Sequence, residues 1–593
     1  MLGADLLVQM LVNYKVEVVF GVPGDTSVPY YEALQRRAGD IRHVLARDER
    51  SAGSMADAYA RLGEKPGVFD CPSGAGALYS LPPLAEANGS AVPVILLTLD
   101  LPLKSEGRGA LTELETARLF EPVTKMSVQV KAAHKLPETI RRAFRTACTG
   151  RPGAVHLQIP KDVLTAEVDP ATVSLHAEPE CRTFPAYRAG AAPGQIRDLY
   201  GLLAASRQPL IVAGGGVNRS RAGTVLAELA TRLNVPVVCT LTGQGALPGD
   251  HPLAMGVIGD NGFHPHANRA LEEADFVLFV GSRVGSVVTS DWTFPRNTLH
   301  RRAAQIDIDP GHLGNTCENL LAIAGDARMV LDQMVEGVPA ELDPARYQGW
   351  VRRLAESRAR FWDHAARVMA LDDVPLRPER VIGEFNRSLR RYGRAVHLLA
   401  DPGTPTPYLA RFLRLEGLPA GFVIPRAFGA LGVALPAAVG AWQADPERRP
   451  VAMFGDGSFN MAVGELETLV RLEVPALLML FNNACYGWIK GLHRLRGHEE
   501  CFGVDFLPPR GQAIAEAFGL KAWTVRTPAQ LAAALDEAFD TLGPCLLDIH
   551  VESMGDRLPP VYSWLRKAGE DPLALDLRDA RYPGAGRSGQ DRS

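Results

Sequence analysis

Three long stretches of the chain repeat one pattern: a short β-branched run, a glycine-rich turn and a segment with helical periodicity. This alternation is typical of parallel, doubly wound sheets with helices on both faces. The chain has 593 residues, too many for a single hydrophobic core. The sequence therefore predicts an α/β protein of three doubly wound domains with mainly parallel sheets, over residues 1–177, 196–337 and 378–555.

The β-branched runs give the strand predictions. The predicted strands of the first domain are 16–20, 92–98 and 154–159. Those of the second domain are 209–213, 235–239, 276–280 and 304–308, and those of the third are 396–400, 450–454, 476–481 and 545–550. Residues 1–12 have helical spacing, and so does an Arg-rich segment near 347–369. A Pro-, Ala- and Gly-rich stretch at 179–195 predicts a linker, and the nearly apolar-free tail 578–593 predicts disorder.

Composition narrows the class of function. Lys and Arg number 63 against 67 Asp and Glu, a net charge of −4 without a long basic run. This balance disfavours nucleic acid and anionic membranes as partners, and no apolar run approaches the roughly 20 residues of a membrane span. The eight cysteines form no Cys-x-x-Cys pair, which argues against a zinc site or a redox dithiol. We expect a cytoplasmic enzyme with small-molecule substrates and reduced thiols.

Two polar segments follow neighbouring apolar strands of the third stretch. Gly455-Asp456-Gly457-Ser458 comes directly after the run 451–454, and Asn482-Asn483 comes directly after 476–481, with a helix-like stretch at 462–472 between them. Glycines at a strand end let backbone N–H groups approach a phosphate. Mg²⁺ takes one or two protein oxygens alongside phosphate oxygens. Either segment alone would be interpreted as a tight turn, but together they predict a magnesium–diphosphate site.

This pair of motifs resembles the cofactor motif of the thiamine diphosphate enzymes related to acetolactate synthase, pyruvate oxidase and benzoylformate decarboxylase. The resemblance covers nearly the whole chain, with pyrimidine-binding, central and diphosphate-binding domains in the same order. It implies thiamine diphosphate and Mg²⁺ as cofactors. The implied metal ligands are Asp456, Asn483 and the backbone oxygen of Cys485. The implied cofactor contacts nearby are Gly455, Gly457, Ser458 and Tyr486.

The same resemblance implies a catalytic glutamate. Arg47-Asp48-Glu49-Arg50-Ser51-Ala52 is similar to the family segment Arg-His-Glu-x-x-Ala, and residues 16–24, ending at Gly24, match the family's opening strand and cofactor loop. In the family this glutamate hydrogen-bonds the aminopyrimidine ring and promotes loss of the thiazolium C2 proton. The alternative interpretation places Glu49 in a charged run on a solvated face.

Two loops of the third domain complete the implied cofactor site. Asp401-Pro-Gly403-Thr404 resembles the family's Asp-x-Gly turn beside the cofactor. By the same resemblance the Gly429 carbonyl accepts from the aminopyrimidine amine, and Leu431 supports the bent cofactor. Without the resemblance, Leu431 would be a core residue and Gly429 a close-packing glycine.

Departures from the family pattern limit the prediction of the substrate. Leu111-Thr112 replaces the Phe-Gln pair of acetolactate synthases, and the loop 73–79 lacks their Pro, Thr and Asn. The resemblance implies an acetolactate synthase-like enzyme that decarboxylates a pyruvate-like 2-oxo acid and transfers the acyl carbanion to a carbonyl acceptor. Two alternatives stay open: a non-oxidative or oxidative decarboxylase, and a non-catalytic relative acting as a binding or regulatory subunit.

Two further properties are implied by the resemblance alone. Segments 214–216, 281–286 and 306–309 resemble the central domain of members that bind FAD, but members without flavin share them, so FAD stays open as a third cofactor. Glu49 and Asp456 lie in different domains, and in the family these two surfaces come from different subunits. The resemblance therefore implies a homodimer or homotetramer.

Overall fold

Three six-stranded parallel sheets form the framework of the protein in a computed structural model that describes residues 1–295, 302–415, 421–575 and 582. Every strand pair within these sheets is parallel, and helices flank each sheet. The α/β class with three doubly wound domains is thereby confirmed. Each sheet falls inside one of the three predicted ranges, whose exact boundaries stay predictions.

The first sheet has the strand order β2-β1-β3-β4-β6-β5. Its strands are β1 (Val18–Gly21), β2 (Arg42–Leu45), β3 (Gly67–Pro72), β4 (Val94–Asp100), β5 (Met126–Gln129) and β6 (Val155–Pro160). The helices of this part are Gly3–Asn13, Val28–Arg36, Glu49–Gly63, Ala75–Tyr79, Leu81–Gly89, Thr116–Phe120, Leu136–Cys148 and Lys161–Thr165.

The second sheet has the order β12-β11-β10-β7-β8-β9. Its strands are β7 (Pro209–Ala213), β8 (Val237–Cys239), β9 (Ala254–Val257), β10 (Phe276–Val280), β11 (Arg302–Asp307) and β12 (Leu321–Ala324). Its helices are Pro193–Ala205, Gly215–Arg219, Gly223–Leu233, Pro265–Glu273, Ser286–Thr289 and Ala327–Glu336. The Arg-rich segment forms the helix Gln348–Val368, as its spacing predicted.

The third sheet has the order β14-β13-β15-β16-β18-β17. Its strands are β13 (Val396–Ala400), β14 (Gly421–Val423), β15 (Arg449–Gly455), β16 (Leu477–Asn482), β17 (Lys521–Val525) and β18 (Cys545–His550). Its helices are Pro378–Tyr392, Pro405–Phe412, Ala434–Ala444, Asp456–Ala462, Glu465–Arg471, Gly487–Leu495, Gly511–Ala517, Pro528–Asp540 and Tyr562–Lys567. Short 3₁₀ turns lie at Leu103–Ser105, Glu121–Val123, Ala133–Lys135, Pro170–Thr172, Pro179–Arg182, Leu241–Gly243, Pro310–His312 and Pro344–Tyr347.

The first and third domains share one hydrophobic core. Helix Glu49–Gly63 packs on helix Ala434–Ala444, and a Cβ at Gly440 would lie 2.0 Å from the Met55 carbonyl oxygen. Only a glycine therefore allows this approach. Because Glu49 begins the first of these helices, the interdomain packing fixes the direction in which its side chain leaves the backbone.

Three local predictions need correction. The helix-like stretch 462–472 is two helices, Asp456–Ala462 and Glu465–Arg471, because the chain turns at Gly464. Seven strands were not predicted, among them all six edge strands. Of the tail 578–593, only Tyr582 belongs to the described residues. It is buried, with its hydroxyl donating to the Met554 carbonyl, so disorder is wrong at this residue.

The described residues contain neither a membrane-spanning helix nor a disulfide. No helix among them combines the length and apolarity that crossing a membrane requires. All eight cysteines lie in the described ranges, and each is a free thiol that is buried or half-buried, as the scattered spacing predicted.

Candidate active site

A cavity of about 380 Å³ opens where the central strands of the third sheet end. Strands β13, β15 and β16 finish side by side, so the loops after Ala400, Gly455 and Asn482 meet there. In doubly wound sheets this carboxyl edge is where ligands bind. Ten of the predicted site residues line the cavity: Gly403, Thr404, Gly429, Leu431, Gly455, Asp456, Gly457, Ser458, Cys485 and Tyr486.

Asp456 is the one carboxylate on the wall of this cavity within the described ranges. Its side chain is 2% exposed. One oxygen accepts from the Gly457 N–H at 2.8 Å, and the other accepts from the N–H groups of Asn483 and Ala484 at 2.9 and 2.6 Å. Burial raises the pKa of Asp456, while these backbone donors lower it. The carboxylate therefore ties the two strand-end motifs together.

Asn483 and Cys485 follow β16 on the same side as Asp456. The Asn483 amide donates to Thr404 Oγ1 at 3.3 Å, and its oxygen accepts from the Cys485 thiol at 3.4 Å. Ala484 between them has a φ of 58°, a left-handed conformation that turns the chain back towards Asp456. Two strand ends thus bring together carboxylate, amide and carbonyl oxygens, the ligand types that Mg²⁺ prefers.

The glycines on the cavity wall leave room for a ligand beside the backbone. An added Cβ at Gly403, Gly429 or Gly455 would meet no described atom within 4 Å. Gly403 and Gly429 also have φ values of 116° and 69°, which other residues rarely adopt. At Gly457, by contrast, a Cβ would lie 2.6 Å from the Tyr486 ring. This backbone fits a phosphate-bearing cofactor, since the open glycines face empty space rather than protein.

Asp401 lies behind the cavity and does not line it. Its carboxylate accepts from the N–H groups of Gly432, Val433 and Ala434 at 2.8–3.0 Å, and burial raises its pKa to about 6. It therefore anchors the start of helix Ala434–Ala444. This position differs from the predicted direct cofactor contact, because all three bonds hold the segment that carries Leu431.

The segment 426–434, which carries Gly429 and Leu431, is held at its other end by Glu86, a residue that the sequence motifs did not identify. Glu86, from the first domain, is 3% exposed. Its carboxylate accepts from the N–H groups of Arg426, Ala427 and Phe428 at 2.8–3.1 Å. Two buried carboxylates thus fix residues 426–434, from which Gly429 and Leu431 face the cavity. No local motif marks this role of Glu86, because the backbone N–H groups that it holds lie 340 or more positions further along the chain.

Glu49 occupies a separate site on the first domain. Glu49 is a buried residue, 9% exposed, whereas the side chain of its neighbour Arg50 is 51% exposed, which contradicts the solvated-face alternative. Burial raises the pKa of Glu49, so its carboxyl keeps a proton to higher pH than an exposed glutamate. A Cβ at Gly76 would lie 2.9 Å from Glu49 Oε1 and 2.8 Å from Pro72. Gly24 packs on the same Pro72, which brings these predicted positions together.

Glu49 is separate from the Asp456 cavity within one chain, although Leu431 also borders a small cavity with Arg50 and Ser51. No described residue of the first domain lines the Asp456 cavity. Each half is instead bordered by exposed apolar side chains. These are Leu78, Tyr79 and Leu111 on the Glu49 side, and Phe428, Leu431, Tyr486 and Ile489 on the Asp456 side.

A second cavity, of about 290 Å³, lies between the central domain and its two neighbours, beside the loops that resemble those of FAD-binding members. Its wall includes Gly215, Gly216 and Arg283. A Cβ at Gly214 would lie 2.2 Å from the Gly281 carbonyl oxygen, and one at Gly216 would lie 2.7 Å from the Gly281 Cα. Packing between the two loops therefore requires these glycines, whether or not a dinucleotide binds.

The chemistry of the donor set also limits which metal site is feasible. In the described part of the chain, no group of three or more His, Cys, Asp or Glu side chains could hold a metal. One carboxylate, one amide and one carbonyl suit an ion that shares its shell with phosphate oxygens. The residues present thus fit a magnesium ion bound together with a diphosphate.

Comparison with known proteins identifies the family of all three domains. The chain matches three domain families described as thiamine pyrophosphate enzyme domains: the N-terminal TPP-binding domain over residues 1–119, the central domain over 196–334 and the C-terminal TPP-binding domain over 401–549.

Three curated relatives show how far the similarity extends. A probable acetolactate synthase large subunit of Methanocaldococcus jannaschii is 33% identical, over 95% of this chain and 93% of its own. The acetolactate synthase isozyme 3 large subunit of Escherichia coli is 31% identical, over 91% and 92%. A glyoxylate carboligase of Escherichia coli O157:H7 is 30% identical, over 94% of each chain.

Proposed function

Since this chain belongs to the thiamine diphosphate (thiamine pyrophosphate) enzymes, we propose that it is a magnesium-dependent carboligase of the acetolactate synthase type. It would release CO₂ from a pyruvate-like 2-oxo acid and join the remaining acyl group to a carbonyl acceptor. The observation that carries this proposal is the convergence of ten predicted residues, from four separate segments, on one cavity. Relatives at 30–33% identity that are named acetolactate synthase or glyoxylate carboligase favour this reaction over simple decarboxylation.

We propose the following roles around the cofactor. Asp456, Asn483 and the Cys485 carbonyl would hold Mg²⁺, and Ser458, with the backbone at residues 403, 404, 455 and 457, would bind the diphosphate. Tyr486, stacked over Gly457, would close this end of the cavity. The cofactor, when bound, supplies a carbanion and an electron sink that amino-acid side chains lack.

The remaining roles concern orientation and proton transfer. The Gly429 carbonyl would accept a hydrogen bond from the aminopyrimidine, and Leu431 would provide apolar support from the segment fixed by Glu86 and Asp401. Glu49 Oε would donate a proton to the pyrimidine ring nitrogen and recover it. Its raised pKa suits this role, because a general acid needs its proton near the working pH. Gly24 would border the pyrimidine next to Pro72.

FAD is not part of the proposed mechanism. The glycines that suggested a flavin are needed for packing around Gly281, so they give no independent argument for it. The direct test is whether the purified protein carries a flavin absorbance band. The carboligase proposal stays the same whether or not the band is present.

The carboligase proposal predicts a particular product distribution. With pyruvate alone, we expect most of the released CO₂ to be matched by a five-carbon 2-hydroxy-3-oxo acid. NMR of the products, with CO₂ measured in parallel, tests this. Acetaldehyde as the main product would indicate a non-oxidative decarboxylase, and acetate an oxidative one. Either outcome would contradict the carboligase proposal.

We further propose that the active unit is a homodimer, or a homotetramer built from it, with each site shared between two chains. The support is that Glu49 and the Asp456 cavity are separate in one chain, and that exposed apolar side chains border both. A closed two-fold dimer can bring each half against the other chain's complementary half.

A mixing experiment tests the shared site. Glu49→Gln and Asp456→Ala proteins are each expected to be nearly inactive. Equal mixing with full exchange makes half of the dimers hybrid, and one of the two sites in each hybrid is native, so activity should recover to about a quarter of wild type. Mixing two batches of Glu49→Gln carrying different tags is the matched control. Exchange proven by tag co-purification without recovered activity would place both residues in a single-chain site.

A further inference from the structure

Arg426 is the one cationic side chain on the wall of the Asp456 cavity within the described part of the chain. It comes from the segment 426–434, close to Gly429 and Leu431. Its backbone is fixed because its N–H donates to the buried Glu86 carboxylate at 2.9 Å. The guanidinium therefore projects from a rigid segment, not from a loop free to move away.

The guanidinium has donors left over for a ligand. With its amide oxygen turned towards the arginine, Asn261 accepts from both terminal nitrogens at 3.0 and 3.1 Å. The Nε group is buried and has no hydrogen-bond partner, and no carboxylate lies in ion-pair contact with the side chain among the described residues. Burial lowers the pKa of Arg426, with only longer-range help from Glu86 and Asp260. An arginine has five N–H donors, so a planar anion could still bind here.

The other residues of the cavity wall restrict the size and polarity of the rest of the ligand that carries this anionic group. Leu431, Trp488 and Ile489 line the same cavity and present apolar surface. Arginine pairs with carboxylates through two parallel hydrogen bonds, which fixes orientation as well as charge. The combination suits a small molecule with a carboxylate at one end and a short apolar group at the other, the shape of a simple 2-oxo acid.

The reaction distinguishes the two carboxylates of such substrates. The donor loses its carboxylate as CO₂, so an ion pair to that group would stabilise the ground state and oppose its departure. The acceptor keeps its carboxylate while its carbonyl carbon bonds to the donor's former carbonyl carbon and its oxygen takes up one proton. An arginine held in place therefore favours the acceptor.

We propose that Arg426 binds the carboxylate that the 2-oxo acid acceptor retains, and that this contact sets the preference for such an acceptor over a neutral aldehyde. This proposal rests on the carboligase function given above. It assigns a specificity-determining role to a residue that none of the motifs identified in the sequence includes.

The test separates acceptor binding from decarboxylation in the full-length holoenzyme. A hydrogen bond between charged groups contributes ~1.5–3 kcal/mol, so Arg426→Gln should raise the KM for a 2-oxo acid acceptor by roughly 10- to 100-fold. With acetaldehyde as acceptor and limiting pyruvate as donor, the KM for acetaldehyde should stay within about twofold of wild type. Arg426→Lys keeps the positive charge but cannot form two parallel hydrogen bonds. Its KM for the 2-oxo acid acceptor should therefore lie between those of wild type and Arg426→Gln.

Binding without turnover provides a second readout. Calorimetric titration with oxamate, an unreactive isostere of pyruvate, should show the same 10- to 100-fold loss of affinity in Arg426→Gln. Arg448→Gln, which removes an arginine paired with Asp445 away from the cavity, is the matched control and should bind oxamate like wild type. Thermal unfolding of each variant checks that the fold is intact.

Three results would overturn the proposal. One is an unchanged acceptor KM and oxamate affinity in Arg426→Gln. A second is an equal loss with acetaldehyde, which would indicate general damage to the site. A third is a selective loss of phosphate or nucleotide binding, which would assign Arg426 to the central-domain cavity that it also borders. Failure of wild type to form any carboligation product would instead contradict the proposed function itself.

Discussion

Replacing Asp456 by alanine is expected to abolish retention of both the metal and thiamine diphosphate. This carboxylate is the one negative charge on the cavity wall in the described ranges, and it also accepts three backbone N–H groups from the two strand-end motifs. Removing one partner of a buried charge interaction costs ~3–5 kcal/mol, which corresponds to roughly 10²–10⁴ in cofactor affinity.

Two measurements check the Asp456 prediction. Metal analysis after gel filtration reports the bound ion, and calorimetric titration with thiamine diphosphate in excess Mg²⁺ reports cofactor affinity. Asp540→Ala removes an exposed carboxylate that pairs with Arg391, so this control should retain both ligands. If Asp456→Ala is folded and binds the cofactor as tightly as wild type, even in excess EDTA, the proposed metal site is wrong.

Replacing Glu49 by glutamine is expected to lower turnover by ~10²–10⁴, the usual contribution of a general acid–base group. Glutamine keeps the size of the side chain but cannot give up and recover a proton. Cofactor affinity should fall much less, because the oxygens around Asp456 belong to the other half of the site. The variant should therefore separate proton transfer from binding.

The Glu49 prediction is best tested on the proton that this residue helps to remove. Deuterium exchange at the thiazolium carbon of the bound cofactor, quenched in acid and measured by NMR, should slow by a similar factor. Glu64→Gln, at the opposite end of the same helix, is the matched control and should exchange like wild type. An unchanged exchange rate in Glu49→Gln would remove this residue from the mechanism.

The central strands could be predicted from the sequence, whereas the edges of the sheets could not. Strand β4 is buried at every position, and such strands give continuous apolar runs. Edge strands β2, β12 and β17 expose part of their length, so their sequences resemble loops. Strand β3 is central but was also missed, because Asp70 interrupts its apolar run and Gly67 and Pro72 stand at its ends.

The sequence by itself determined the residue types and their local spacing. These are the strand, glycine turn and side-chain oxygen at Asp456 and Asn483, and the glutamate at position 49. These features are local, because a strand end fixes the direction of the few residues that follow it. Only the tertiary structure showed that Asp401 anchors a helix, that Glu86 holds the segment beginning at Arg426, and that this arginine borders the cavity with unused donors. Such contacts join positions far apart in the chain, and the packing of two domains on one core creates them.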